Sequence, residues 1–295
     1  MRCRVLSGAA ALANSIATYH GRAIPLFVYQ RGLAVEQIEE LHNHPADIRV
    51  WNAADLPHHS YGMWEAKQQI FAHGIGRARQ VYLLDADLVL VSPVDDVFEL
   101  AARGLIVGSS NGEEAVYDGS YAVYDPRLPG TRQPYIYSGA LCLDVVHHWD
   151  LAGLWAFAAG WGTYSPGAGA PLGLPGHGDQ GVFNAIAGML GKVSRYHVLA
   201  DGPWCDCTQR CTLRIRSSSA CGALEVWNET TNERQRVIHS SGPKWWTAEG
   251  ARHLRQFGDK LACLTRLLEL ERPSGSSDLG DRAKSWSSSI VTESL

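Results

Sequence analysis

The sequence contains no run of about 18 or more apolar residues, so nothing in it reads as a membrane-spanning helix. Nor is there an excess of positive charge. Lys and Arg number 26 against 30 Asp and Glu, and the net charge of −4 argues against general nucleic-acid binding. Lysine is scarce beside arginine, which reflects codon usage more than a partner. Met1 to Ser7 lack the hydrophobic region of a signal peptide, and the small apolar residues 8–16 read instead as the start of a helix entering Tyr19. We find no internal repeat and no clear linker. Cysteine is present in an odd number, 7. Cys205, Cys207, Cys211 and Cys221 cluster, while Cys3, Cys142 and Cys263 are scattered. The cluster fits two disulfides in an oxidising compartment, a zinc site of unusual spacing, or free thiols. The compartment is therefore left open: cytoplasmic, or the Golgi lumen if the clustered cysteines are bonded and an anchor precedes the chain. Asn228-Glu229-Thr230 is a glycosylation sequon only in a secretory protein.

What is present is ordinary in bulk. Apolar residues make up 45% and charged residues 19% of 295, enough for a sizeable core. Apolar periodicity predicts helices over 8–20, 34–42, 63–73, 94–103, 145–159, 179–190 and 247–270. Strands are predicted over 25–29, 48–51, 105–107, 135–143 and 237–238. Their alternation predicts a Rossmann-like α/β fold. Residues 109–134 are loop-rich. The Gly- and Pro-rich stretch 160–178 reads as a mobile loop, and the Ser-rich residues 273–295 as a disordered tail. We expect one catalytic domain over 1–272, with 201–236 a small Cys-rich insert.

The chain is organised around Val81-Tyr82-Leu83-Leu84-Asp85-Ala86-Asp87-Leu88-Val89-Leu90-Val91. The unalternating apolar run reads as a strand buried on both faces, of the kind found in parallel sheets, with the two acids where it should end. Two unpaired buried carboxylates are costly, so they must reach solvent or a cation. In extended chain, residues two apart point the same way. Hard oxygen ligands so spaced suit Mg²⁺ or Mn²⁺, which in turn would hold a diphosphate. An acidic turn capping its own backbone is the bland alternative.

Three more stretches carry polar residues out of apolar elements. They are Tyr137-Ser138-Gly139-Ala140-Leu141-Cys142-Leu143-Asp144, His177-Gly178-Asp179-Gln180-Gly181-Val182-Phe183-Asn184, and His239-Ser240-Ser241-Gly242-Pro243-Lys244-Trp245-Trp246. His239 follows a short strand, and imidazole is a better ligand for Mn²⁺ than for Mg²⁺. Gly242 allows close backbone approach to a phosphate, to which Lys244 brings a point charge. Asp179 is well placed as a helix N-cap.

Taken in this order, the four stretches resemble the retaining glycosyltransferases of family 8, the group of glycogenin and the bacterial galactosyltransferases, over roughly residues 10 to 255. The resemblance implies a GT-A fold with a mixed central sheet, a nucleotide-sugar donor (usually a UDP-sugar) and Mn²⁺, with Mg²⁺ as the alternative. It implies that Asp85, Asp87 and His239 hold the metal, that Asp179 and Gln180 face the transferred sugar, and that Lys67, Ser138, Gly139, Gly242 and Lys244 meet the donor. The acceptor is a glycan, protein or lipid hydroxyl, and retention of configuration is likewise implied. Three features depart from the family. Tyr137 stands where it has Asn, Trp245 where it has Pro, and only Met1 to Val5 precede the first helix, where the family has a nucleoside-binding strand. A nucleotide-sugar-binding protein impaired in catalysis is therefore the second reading. A haloacid-dehalogenase-like phosphatase is the third, although its Asp-x-Asp stands near the start of the domain.

Overall fold

In the computed structural model, residues 4–57, 63–110, 136–159, 178–199, 213–219, 223–228 and 232–239 are described. They fall into two compact units. One comprises Met1–Trp51, Ala86–Pro93 and Trp204–Leu295, the other Asn52–Asp85 and Val94–Pro203.

The first unit opens with helix α1 (Arg4–His20), whose Ala9 to Ala13 and Ile16 are buried. Strands β1 (Leu26–Gln30) and β2 (Ile48–Asn52) pair in a two-stranded sheet on either side, in sequence, of helix α2 (Val35–His42). Gln37 reaches back from the first turn of α2 to accept the Ala34 N–H at 3.0 Å, satisfying a donor that a helix start leaves open. Ala13, Leu41, Ala46 and Ile48 form the core here, with Leu26, Val28 and Val50 packed on it. The short strand β4 (Leu88–Leu90) is fully buried and pairs antiparallel with β11 (Val237–His239). Strands β8 (Leu213–Ser219), β9 (Ala223–Asn228) and β10 (Glu233–Arg234) make an antiparallel meander.

The second unit is a layered α/β structure. Its sheet runs β3-β6-β5-β7, from β3 (Gln80–Leu84), β6 (Ile136–Asp144), β5 (Ile106–Ser110) and β7 (Tyr196–Leu199). Only β5 and β7 are parallel within it; β6 is antiparallel to both β3 and β5. Side chains alternate across the sheet. Leu83, Leu141 and Leu143 face a core built with helices α3 (Met63–Gly74), α5 (Trp149–Ala159) and α6 (Gly178–Met189). At its centre the Trp155 ring lies 5.8 Å from Phe71 and 5.1 Å from Phe183. On the other face Tyr82 meets Phe98 of helix α4 (Asp95–Ala102) edge-on at 6.1 Å.

The fold is the expected α/β with a mixed sheet, but several boundaries differ. The run 81–91 is not one strand. The chain leaves one sheet at Leu84 and joins another at Leu88, and the two acids occupy the break. Within β3 only Leu83 is fully buried, because this strand lies at the edge of the sheet and pairs antiparallel; a strand buried on both faces in a parallel sheet was expected. Arg4 and Val5, expected ahead of the first helix, belong to α1. Helix α5 starts at Trp149, not at 145, because the Asp144 carboxylate accepts the N–H groups of Val146 and His147 and holds a turn there. Most of the expected loops over 109–134 and 160–178, the cysteines of the 201–236 insert, the helix at 247–270 and the tail at 273–295 lie outside the described residues. No helix among the described residues is long and apolar enough to cross a membrane.

Candidate active site

Helix α3 begins with an unusual choice of buried residues: Glu65, Lys67, Gln68 and Gln69 are each less than one-tenth exposed. Such residues are almost never buried without partners. Lys67 has two. Its Nζ lies 2.9 Å from Asp85 Oδ1 and 3.0 Å from Asp179 Oδ2. Burial alone would lower the pKa of the amine, but the charges of Asp85 and Asp179 and their hydrogen bonds outweigh it and raise it, so Lys67 is a firm cation.

Each carboxylate is held by its own element. Asp85 ends β3, where its N–H still donates to Gly139 O of β6 at 2.8 Å. Its Oδ2 also accepts the Tyr137 hydroxyl at 3.2 Å. The Tyr137 ring folds back over Gly139, so a Cβ at 139 would collide with the ring and stand 2.5 Å from Asp85 Oδ2. No side chain fits there, which gives the Ser-Gly pair a steric reason. Asp179 opens α6 and accepts the Ser138 hydroxyl at 2.6 Å, while its carbonyl accepts the indole N–H of the buried Trp155 at 3.0 Å. Asn184, one turn on, donates to Ile136 O and accepts from Ile136 N, so α6 is pinned to the start of β6. Gln180 sits half-buried in the first turn of α6.

In the first unit, the register of β4 on β11 sets His239 opposite Leu88, beside Asp87. The ladder is extended at one end by Val91 N–H to Arg236 O at 2.8 Å and by the Ser92 hydroxyl to Gln235 O at 3.1 Å. On its other edge, the Leu90 N–H donates to the Ser15 hydroxyl of α1 at 3.0 Å, and Ser15 in turn donates to Leu12 O. His239, only 4% exposed, comes within 3.0 Å of Asp87 Oδ1 through Nε2.

Only Ala86 separates Asp85 from Asp87 in sequence, and within the first unit His239 meets Asp87. The donor set fits a divalent cation: two hard carboxylates and one imidazole leave room for further oxygens. The contact between His239 and Asp87 fits as well. Two atoms each about 2.1 Å from a common ion, at a right angle, stand about 3.0 Å apart.

Of the residues singled out from the sequence, the structure thus brings Lys67, Asp85, Ser138, Gly139 and Asp179 together in one unit, and Asp87 and His239 in the other. Gly242 and Lys244 lie outside the described residues. The sequence reading missed the hydroxyl of Tyr137 on Asp85, although Tyr at a position where the family has Asn was a signal. It also missed Glu65, and Ser15, whose role as a strand-edge acceptor leaves no sequence trace.

In sequence, no family model and no curated protein matches the chain. In structure, it is similar to the apo form of the bifunctional glycosyltransferase WbbM, with a TM-score of 0.53 at 12% identity over 91% of this chain and 51% of that one. This chain thus spans about half the length of WbbM. It is equally similar to the galactosyltransferase LgtC in complex with donor and acceptor sugar analogues, with a TM-score of 0.53 at 14% identity over 90% and 91% of the two chains. Mouse xyloside xylosyltransferase 1, in its apo form, aligns with a TM-score of 0.45 at 16% identity over 66% and 79%. On the likeness to WbbM and LgtC, the chain has the GT-A glycosyltransferase fold.

Proposed function

We propose that the protein is a metal-dependent glycosyltransferase that moves a hexosyl group from a nucleotide-sugar, a UDP-sugar, to an acceptor hydroxyl with retention. The observation that supports this reading is the contact of His239 with Asp87, two residues after Asp85 in sequence, because it brings an imidazole from 152 residues away to an acid that follows an apolar strand. Asp85, Asp87 and His239 would hold Mn²⁺. When bound, the cation supplies positive charge against the leaving diphosphate.

The chain's own groups do the rest. Lys67 keeps Asp179 paired and in place, and Ser138 fixes the rotation of its carboxylate. Asp179 and Gln180, at the start of α6, meet the transferred sugar, where a carboxylate binds hydroxyls and an amide oxygen faces the positive charge that develops at the anomeric carbon. Gly242 and Lys244 meet the diphosphate. An acceptor hydroxyl completes the transfer.

A panel of UDP-sugars with Mn²⁺, scored for UDP release, tests this. Release that stops on chelation and returns with Mn²⁺ supports the proposal. Asp87→Asn should abolish Mn²⁺-dependent donor binding with the fold intact; unchanged donor affinity in that variant would count against it. One observation favours the second reading, a donor-binding protein without turnover: both oxygens of Asp85 are already engaged by Lys67 and Tyr137. Binding without release across the panel would select that reading. The phosphatase reading has no support from the fold.

A further inference from the structure

Tyr137 touches the site without yet having a task in it. Its surroundings fix the ring. It folds back over Gly139, where no Cβ fits, and the Lys67 ammonium lies 5.9 Å from its centroid. The hydroxyl reaches Asp85 Oδ2 at 3.2 Å from a ring with little freedom to turn away. Lys67 holds the same carboxylate by both oxygens, with Nζ 2.9 Å from Oδ1 and 3.2 Å from Oδ2. The backbone of Asp85 is tied to the same strand, since its N–H donates to Gly139 O at 2.8 Å. All of these groups belong to the second unit. An ionised carboxylate has two oxygens and about four lone pairs. Lys67 takes one on each oxygen, and Tyr137 takes the second on Oδ2. Oδ1 is thus the oxygen that Asp85 can offer a further partner. One ammonium set against two carboxylates, Asp85 and Asp179, leaves the group negative, so a further cation is not opposed.

How many oxygens a carboxylate can give decides which cation it suits. Ca²⁺ takes about six to eight oxygens in a loose shell and readily accepts a carboxylate by both of its oxygens. Mg²⁺ demands octahedral geometry, which Mn²⁺ shares, and one oxygen from each acid serves it. We propose that Tyr137 is a positioning residue that restricts Asp85 to coordination through one oxygen, and that it thereby sets a preference for Mn²⁺ over Ca²⁺. This rests on the metal-dependent reading above. It adds a residue that discriminates between cations without touching them.

Tyr137→Phe tests this, because it keeps the ring over Gly139 and removes only the hydroxyl, which frees a lone pair on Asp85 Oδ2. The probes are the metals themselves. The full chain, alone and with UDP, is titrated with Mn²⁺, the free ion being read by electron paramagnetic resonance, and Ca²⁺ is then added as a competitor. Loss of the hydrogen bond to a coordinating carboxylate should lower Mn²⁺ affinity about 10-fold. Ca²⁺ affinity should hold or rise, because Asp85 can now offer both oxygens, so the preference for Mn²⁺ should fall about 10-fold or more. A general loosening of the fold would weaken both ions alike. The proposal is therefore overturned if both affinities are unchanged in Tyr137→Phe, or if both drop by the same factor. Tighter Mn²⁺ binding in the variant overturns it too, since the hydroxyl would then be a competitor of the cation. So does a parent chain that prefers Ca²⁺. Each of the first three results leaves the metal-dependent reading intact where the parent binds Mn²⁺. A parent chain that takes up Mn²⁺ neither alone nor with UDP overturns that reading, and this proposal with it.

Discussion

Lys67 is where the chemistry of single residues is most concentrated. It has one ammonium between two carboxylates, one of them almost wholly buried. Removing one member of such a set leaves its partners as uncompensated charges, and Lys67→Met should cost about 3–5 kcal/mol in denaturant unfolding. Because the folded pKa of Lys67 is raised, its contribution is fully present below the unfolded value of about 10.4 and is lost only as pH rises through the folded value. The loss in Lys67→Met should therefore be the same at pH 6 and pH 8. Gly139→Ala sets a methyl group against the Tyr137 ring and the Asp85 carboxylate, and should reduce donor turnover at least about 100-fold. Adding Tyr137→Ala should restore part of that turnover, since the Asp85 contact remains. Asp85 and Asp87 were legible in the sequence because charged residues directly after an apolar run need a reason, whereas Asp179 read as a helix N-cap and gained a role only through the family resemblance. Lys67, 18 residues before Asp85, was singled out only through the family resemblance. Tyr137 folding back onto Asp85 was not legible, because it depends on a glycine two residues on and on a strand pairing that periodicity does not reveal.

Single contacts also decide how elements are held. The Ser15 hydroxyl accepts the Leu90 N–H on the edge of β4 that β11 does not cover. Ser15→Ala leaves that buried N–H without its acceptor, and should cost about 1–3 kcal/mol of stability and weaken Mn²⁺ binding through Asp87. Near the far end of β6, His148 ties the turn after α4 to Lys192: its Nε2–H donates to Gly104 O at 3.0 Å, and its Nδ1 accepts from the Lys192 ammonium at 3.3 Å. Burial, then the Lys192 charge, lowers its pKa to about 4. The unfolded chain, with His near 6.5, binds the proton more readily, so stability should fall as pH drops from about 6.5 to about 4. His148→Gln, in which an amide can keep the bond to Gly104, should flatten that part of a plot of Tm against pH. Helices were the elements best read from sequence, because their apolar spacing is periodic. The run 81–91 was misread as one strand because its hydrophobicity is continuous, and a change of sheet at Asp85–Asp87 leaves the apolar pattern untouched. The β8-β9-β10 meander was not foreseen, because the alternation Leu213-Arg214-Ile215-Arg216 gives way to three serines and the clustered cysteines drew the reading to a stapled insert.

For the whole molecule, the α/β class followed from the alternation of elements, but the order β3-β6-β5-β7 follows from no rule of sequence; only the family resemblance implied a mixed sheet. Binding to the folded state alone stabilises it by mass action, by about 2.7 kcal/mol at a hundred times Kd. At about 2–4 °C per kcal/mol for large domains, a saturating UDP-sugar with Mn²⁺ should raise Tm by about 5–10 °C. Asp87→Asn should show none of that shift, and an equal shift in both proteins would place the donor elsewhere.

The three-residue pairing of β4 with β11 has a temporal consequence. His239 reaches Asp87 across a sequence separation of 152 residues. A growing chain has Asp87 long before it has the imidazole, so His239 cannot meet it until 152 further residues have been made. The ladder that then delivers it is short, and a slip of one residue would turn Ile238 toward Asp87 and send the imidazole to the opposite face. A late, easily misregistered closing step would make metal occupancy a direct measure of how faithfully newly made chains have folded.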